Sequence, residues 1–155
     1  MEILKLVEKK ISLFIAPSVH YGVCRSTEEH PGTVGISPQT LRFLVIDLLE
    51  GFKKQGVKYF YLISGHAGKL HMYSLIEAGE IFVKKYKNVR VFVYSELELI
   101  KDDLKGIIET KNDSHAGEIE TSRMMYIDKT LVKKPKEKLK FDEPIFFQEK
   151  LQQIN

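Results

Sequence analysis

The sequence predicts an α/β protein, a three-layer domain with a mainly parallel sheet and helices on both faces. Three observations predict it. Short apolar runs rich in β-branched and aromatic residues alternate with longer segments of helical spacing, the pattern of a parallel sheet with crossover helices. The run Tyr59-Phe60-Tyr61-Leu62-Ile63 stops abruptly in a small-residue turn, Ser64-Gly65-His66-Ala67-Gly68, and open α/β sheets bind ligands at the carboxyl ends of their strands. A second small-residue histidine turn, Ser114-His115-Ala116-Gly117, opens another helical segment, which suggests one site assembled from two loops.

The elements follow in order. Residues 2–10 read as a short amphipathic helix carrying Ile3, Leu4, Leu6 and Val7 on one side, and Ile11 to Ala16 reads as a buried strand. Pro17 to Ile36 is a long loop rich in Gly, Pro, Ser, Thr and His, pinned by Val19, Tyr21, Val23 and Val34. A loop of that length in a compact domain is usually functional or disordered, and the apolar residues that pin this one favour function. Ser37-Pro38 starts a helix, with serine as the cap and proline at the first helical position. Leu41, Leu44, Val45, Leu48, Leu49 and Phe52 keep helical spacing until Gly56 ends it. An apolar, aromatic-rich run over 58–63 follows and reads as a buried strand, then a helix over 69–86 and a strand over 89–94. A short helix over 96–104 and another over 118–127 complete the set. The amphipathic end, Phe146–Ile154, suits docking on a partner subunit.

A chain of 155 residues is long enough for one core, so residues 1–155 are expected to form a single domain, with 133–155 as a charged C-terminal extension. Formal net charge is +3. The cluster Lys133-Lys134-Pro135-Lys136 with Lys138 reads as a solvated tail rather than a nucleic-acid patch. No apolar run reaches the roughly 20 residues that span a bilayer, and no signal sequence is evident. The expectation is a protein with no nucleic-acid or membrane partner. Its single cysteine, Cys24, forms no intramolecular disulfide and fits a reducing cytoplasm.

His66 sits directly after a strand, between small residues that give it no packing role. It can serve as a metal ligand, as an acid–base group, or as a structural histidine. His115, Glu118 and Glu120 are richer together. A glutamate in a helix's first turn ordinarily complements the helix dipole, which suits Glu118. Helical spacing puts Glu120 and Thr121 on a face with Met124, expected to point inward, where a carboxylate needs a metal or a histidine as partner. Gly65–Lys69 is not a P-loop, because Ile63 and Leu70 stand where a glycine and a Ser or Thr are required. A GxGxxG fingerprint is absent. Ser64, His66 and Asp113 lack the GxSxG elbow of a triad hydrolase. Metal-assisted hydrolysis remains: a divalent ion held by histidine and carboxylates supplies hydroxide at neutral pH, and a second histidine carries a proton to a leaving nitrogen.

These residues resemble the creatininase, or creatinine amidohydrolase, family. Tyr21-Gly22, with Glu29-His30 following, is similar to its Tyr-Gly and acid-His elements. Pro31-Gly32-Thr33-Val34-Gly35-Ile36-Ser37 resembles its Pro-Gly-Thr-Ile-Ser loop. Ser64–Gly68 resembles its Asn-Gly-His-Gly-Gly-Asn, and Ser114–Ser122 its His-Ala-Gly-x-x-Glu-Thr-Ser. The resemblance covers residues 11–132. It implies a homo-oligomer, hexameric in the family, that cleaves small amides, lactams or formamides at a centre of two divalent ions (Zn, Mn or Fe). It puts a metal ligand at His66, the proton-shuttling histidine at His115 and a conserved glutamate beside the site at Glu120. Family members also carry an initial Glu-x-His-Gly-x-His-Leu-Pro segment followed by Thr-Asp, the source of most metal ligands. Residues 1–155 contain no such run. The expectation is therefore a chain truncated at its N-terminus relative to the family. It is then an enzyme shortened by a misplaced start, a frameshift or a cloning boundary, a catalytically inactive oligomerising remnant, or a form recruiting Glu28, Glu29 or His30 in place of the missing ligands.

Overall fold

The computed structural model of the chain describes residues 12–111 and 113–133. Its elements are α1 (Pro38–Lys54), β1 (Tyr59–Ser64), α2 (Lys69–Lys85), β2 (Arg90–Ser95), α3 (Glu96–Ile100), α4 (Glu118–Asp128) and a 3-10 turn at Lys129–Leu131. β1 and β2 form a small parallel sheet, and α2 is the crossover between them. The protein is therefore a mixed helix and strand structure, as the alternating pattern predicts.

Local chemistry sets the boundaries of α1. Ser37 Oγ accepts the Thr40 N–H at 3.0 Å, Pro38 occupies the first helical position, and Gly56 leaves the helix end at φ 92°. A side-chain acceptor satisfies an otherwise orphaned N–H at the start, and glycine takes a positive φ without a Cβ penalty at the end. Leu41, Val45 and Leu49 recur on the buried face of α1, and α2, whose buried residues include Leu75, Ala78 and Phe82, packs against α1. Phe60 of β1 meets Phe82 edge-on, with ring centroids 5.5 Å apart. Ion pairs Arg42–Glu77 and Lys85–Glu50 bridge the two helices at the surface, where such pairs contribute little.

The described residues fall into two compact units. One takes in the chain up to Phe60 together with Gly68–Val91; the other takes in Tyr61–Ala67 and the chain from Phe92 onward. The core of the first is the α1–α2 contact just described.

Three expectations need correction or restriction. Residues 12–16 form no strand, and Phe14 is 68% exposed. A strand is stable only with ladder partners, and among the described residues this segment has none. The strand over 59–64 is not buried on both faces. Phe60 and Ser64 are buried, whereas Tyr59, Tyr61 and Ile63 are exposed, the alternation of a strand covered on one side. The helix over 96–104 ends at Ile100 and continues as turns. The expected helix at 2–10 and the amphipathic end at 146–154 lie outside the described residues.

The long loop is closed on itself and tied to α2. Gly22 and Gly35 form an isolated parallel bridge, and Ile36 N–H donates to Gly22 O at 2.9 Å. His71, buried on α2, accepts the Val23 N–H at Nδ1 over 3.2 Å. The imidazole lies so close that a Cβ on Gly22 would stand 2.8 Å from its Nδ1 and Cε1. Gly22→Ala is thus expected to destabilise the protein by about 1–3 kcal/mol through overpacking. Urea denaturation measures this, and an unchanged midpoint would contradict the close approach.

Candidate functional site

The site is built from the two histidine turns. At the first, Ser64 is buried at the end of β1 and its hydroxyl closes the turn. Ser64 Oγ accepts the His66 N–H at 3.1 Å and donates to His66 O at 2.8 Å. This fixes the backbone of His66, whose side chain is half-buried. Two residues later Gly68 caps α2 without a side-chain hydrogen bond.

The second turn has a fuller network. Gly117 N–H donates to Ser114 O at 2.9 Å, and Ala116 lies in the left-handed region at φ 53°. Ala116 N–H donates to Glu120 Oε2 at 2.7 Å, and Thr121 Oγ1 donates to Ala116 O at 3.0 Å. Asp113 accepts two backbone groups of the first turn of α4, Glu118 N–H at 2.5 Å and Ile119 N–H at 3.1 Å. Glu118 reaches the other way and accepts N–H groups of Glu109 at 3.1 Å and Thr110 at 2.8 Å. Hydrogen bonding from the Thr110 side chain and from the Glu109 and Thr110 backbone holds its carboxyl below the ordinary glutamate value.

A carboxyl group of depressed pKa stabilises the fold fully above its unfolded pKa and loses that contribution as pH falls through the lower folded value. For Glu118 the ordinary value is 4.5, so the loss falls below that pH. Protection of the Glu109 and Thr110 amides, taken relative to their intrinsic exchange at each pH, is expected to be high at neutral pH and to fall on acidification. Glu118→Gln is expected to lose that pH dependence, and persistence of the dependence in the variant would assign it to another group.

His66, His115 and Glu120 lie in the same compact unit. His115 and Glu120 are exposed, and α4 buries none of its residues among those described. The inward orientation expected for Glu120 and Met124 is therefore not found; Glu120 turns back onto the Ala116 N–H as a capping carboxylate instead. The second turn also follows a stretch of turns rather than a strand end. Arg123 pairs with Glu96 at 3.1 Å, tying α4 to α3. Glu28, Glu29 and His30 are exposed on the long loop, with Glu28 paired to Arg25 at 3.6 Å. A cavity of about 270 Å³ opens within that loop beside Cys24, Arg25, Glu28 and Ser37; none of the three candidate site residues lines it.

The two-metal centre implied by the resemblance needs several histidine and carboxylate donors around each ion. The described residues do not fit it, because no group of three His, Cys, Asp or Glu side chains able to hold a cation comes together among them. The sequence reading did not give Asp113 its capping role or single out His71. Gly117 at the start of α4 signals the first, since a helix whose cap has no side chain takes its acceptor from elsewhere. His71 shares helical spacing with Ser74, Leu75, Ala78 and Phe82, the buried face of α2.

No helix among the described residues is long and apolar enough to cross a membrane. The profile of the creatininase family, described as creatinine amidohydrolase, matches residues 1–153. Among curated proteins none matches the chain.

Proposed function

The chain belongs to the creatininase family, and from that premise we propose that it is an amidohydrolase cleaving a non-peptide C–N bond of a small molecule, a cyclic amide or a formamide. The observation that carries the reading is the second histidine turn. The family match includes it, and its backbone is held by Asp113, Glu120 and Thr121. An imidazole changes protonation near neutral pH, so His115 can deliver the proton that a departing nitrogen requires. Glu120 fixes the Ala116 N–H and balances charge beside that imidazole. His66 is the position at which the resemblance puts a metal ligand. The described residues supply no donor set around it.

The three-layer arrangement with helices on both sheet faces belongs to the same proposal. The exposed side of β1, with Tyr61 at 59% exposure, is an apolar face that a second layer would cover. The family's homo-oligomeric assembly, hexameric where the resemblance points, is proposed for this chain too.

A second reading is favoured because no donor cluster comes together among the described residues: a catalytically inactive, oligomerising module of the same fold. Elemental analysis of the purified chain after soaking with Zn²⁺ separates the two. Two bound ions per subunit would sink the module reading, and none would sink metal-assisted hydrolysis by this chain. Sedimentation at micromolar concentration is expected to give an oligomer, and a stable monomer would remove the assembly from either reading.

A further inference from the structure

His115 sits in a turn that its own residues do not favour. Its neighbour Ala116 adopts φ 53°, a region that non-glycine residues rarely enter without compensation. The compensation is a ring of hydrogen bonds, and Asp113 is the member that closes it. Asp113 precedes His115 by two positions, and its carboxylate takes the Glu118 and Ile119 N–H groups on the far side of the turn. The turn is thereby held at both ends by one side chain. The fit is close: a Cβ on Gly117 would overlap Asp113 Oδ1 and stand 2.7 Å from Ser114 O. Glycine leaves the space that the carboxylate fills, so Asp113 and Gly117 form one device. Because Gly117 contributes no side-chain cap to α4, the carboxylate also supplies the acceptor that the helix start lacks.

We propose that Asp113 is the positioning residue for His115, fixing the imidazole-bearing turn through the Glu118 and Ile119 backbone N–H groups. This rests on the reading of His115 as the proton carrier. Asp113 itself meets no substrate in this account. Its negative charge at the start of α4 suits the helix dipole, and its two oxygens match two adjacent donors, which a single amide oxygen cannot do equally well.

The test uses the full chain, isotopically labelled, as wild type, Asp113→Asn and Asp113→Ala. Amide hydrogen exchange at Glu118 and Ile119 is expected to accelerate roughly tenfold in Asp113→Ala, the size of a lost helix cap. The His115 ring resonances are expected to shift or broaden, and kcat for amide hydrolysis to fall at least about tenfold with KM changed little. Asp113→Asn keeps one oxygen acceptor and is expected to lie between the two, which preserves the test should the alanine variant not fold. Unchanged exchange at both amides and unchanged His115 resonances in a folded Asp113 variant would overturn the proposal. The underlying reading fails separately: if His115→Ala turns over like wild type, His115 is not the proton carrier, whatever Asp113 does to its resonances.

Discussion

Phe82→Ala is expected to destabilise the protein by about 3–5 kcal/mol, the usual cost of deleting a fully buried aromatic ring. Phe82 is 0% exposed and sits where α2 meets both the sheet and its own C-terminus. Its ring stands edge-on to Phe60 at 5.5 Å and to Tyr86 at 5.0 Å. Removing it leaves a cavity and forfeits two aromatic contacts at once. Native stability is only about 5–15 kcal/mol, so this one change should take a large share of it. The urea midpoint should drop accordingly. Tyr126→Ala is the internal control: that ring is 90% exposed on α4, and its loss should change stability by less than about 0.5 kcal/mol. Comparable losses in the two variants would mean that the α1–α2 contact is not the core.

His115→Ala is expected to lower kcat for amide hydrolysis by about 10²–10⁴-fold, the usual worth of a positioned proton-transfer group. The backbone hydrogen bonds that shape the turn are made by Asp113, Glu120, Thr121 and the main chain. They survive the substitution, so circular dichroism and the urea midpoint should stay close to wild type. A variant that loses turnover and stability together would point to a structural histidine instead.

Much of the fold was legible because its signals are local. Ser37-Pro38 and Gly56 mark the limits of α1 by capping and turn chemistry that involve only a few neighbouring residues. The apolar spacing of Leu41, Val45 and Leu49 gives its buried face in the same way. The run Ile11–Ala16 has the composition of a strand, but strand formation depends on partners that composition does not reveal, and residues 12–16 have none among the described residues. The run over 58–63 reads as a buried strand because Tyr59, Tyr61 and Ile63 are apolar enough for burial, yet in β1 these three are exposed. Whether a face is covered is a property of the assembly of elements.

The candidate site shows the same division. The two histidine turns were visible as breaks in the apolar pattern, and His66, His115 and Glu120 could be singled out by residue type. The hydrogen bonds that fix the second turn were not visible. Asp113 acts on N–H groups five and six positions ahead, outside the usual capping spacing. Glu118 was read as a residue serving the helix dipole, whereas the structure also uses it to hold Glu109 and Thr110. The inward face drawn for Glu120 assumed a core beneath α4, and none of the helix's described residues is buried.

Hydrolysis of a small C–N bond by this chain is directly measurable. The most direct test is product release from a panel of cyclic amides, formamides and creatinine, incubated with the folded chain with and without added Zn²⁺, Mn²⁺ or Fe²⁺. Turnover of at least one cyclic amide or formamide is expected, well above the rate of the same mixture without protein. A folded chain that releases no product from any of them under any of these conditions would contradict it and leave the inactive module as the reading that fits.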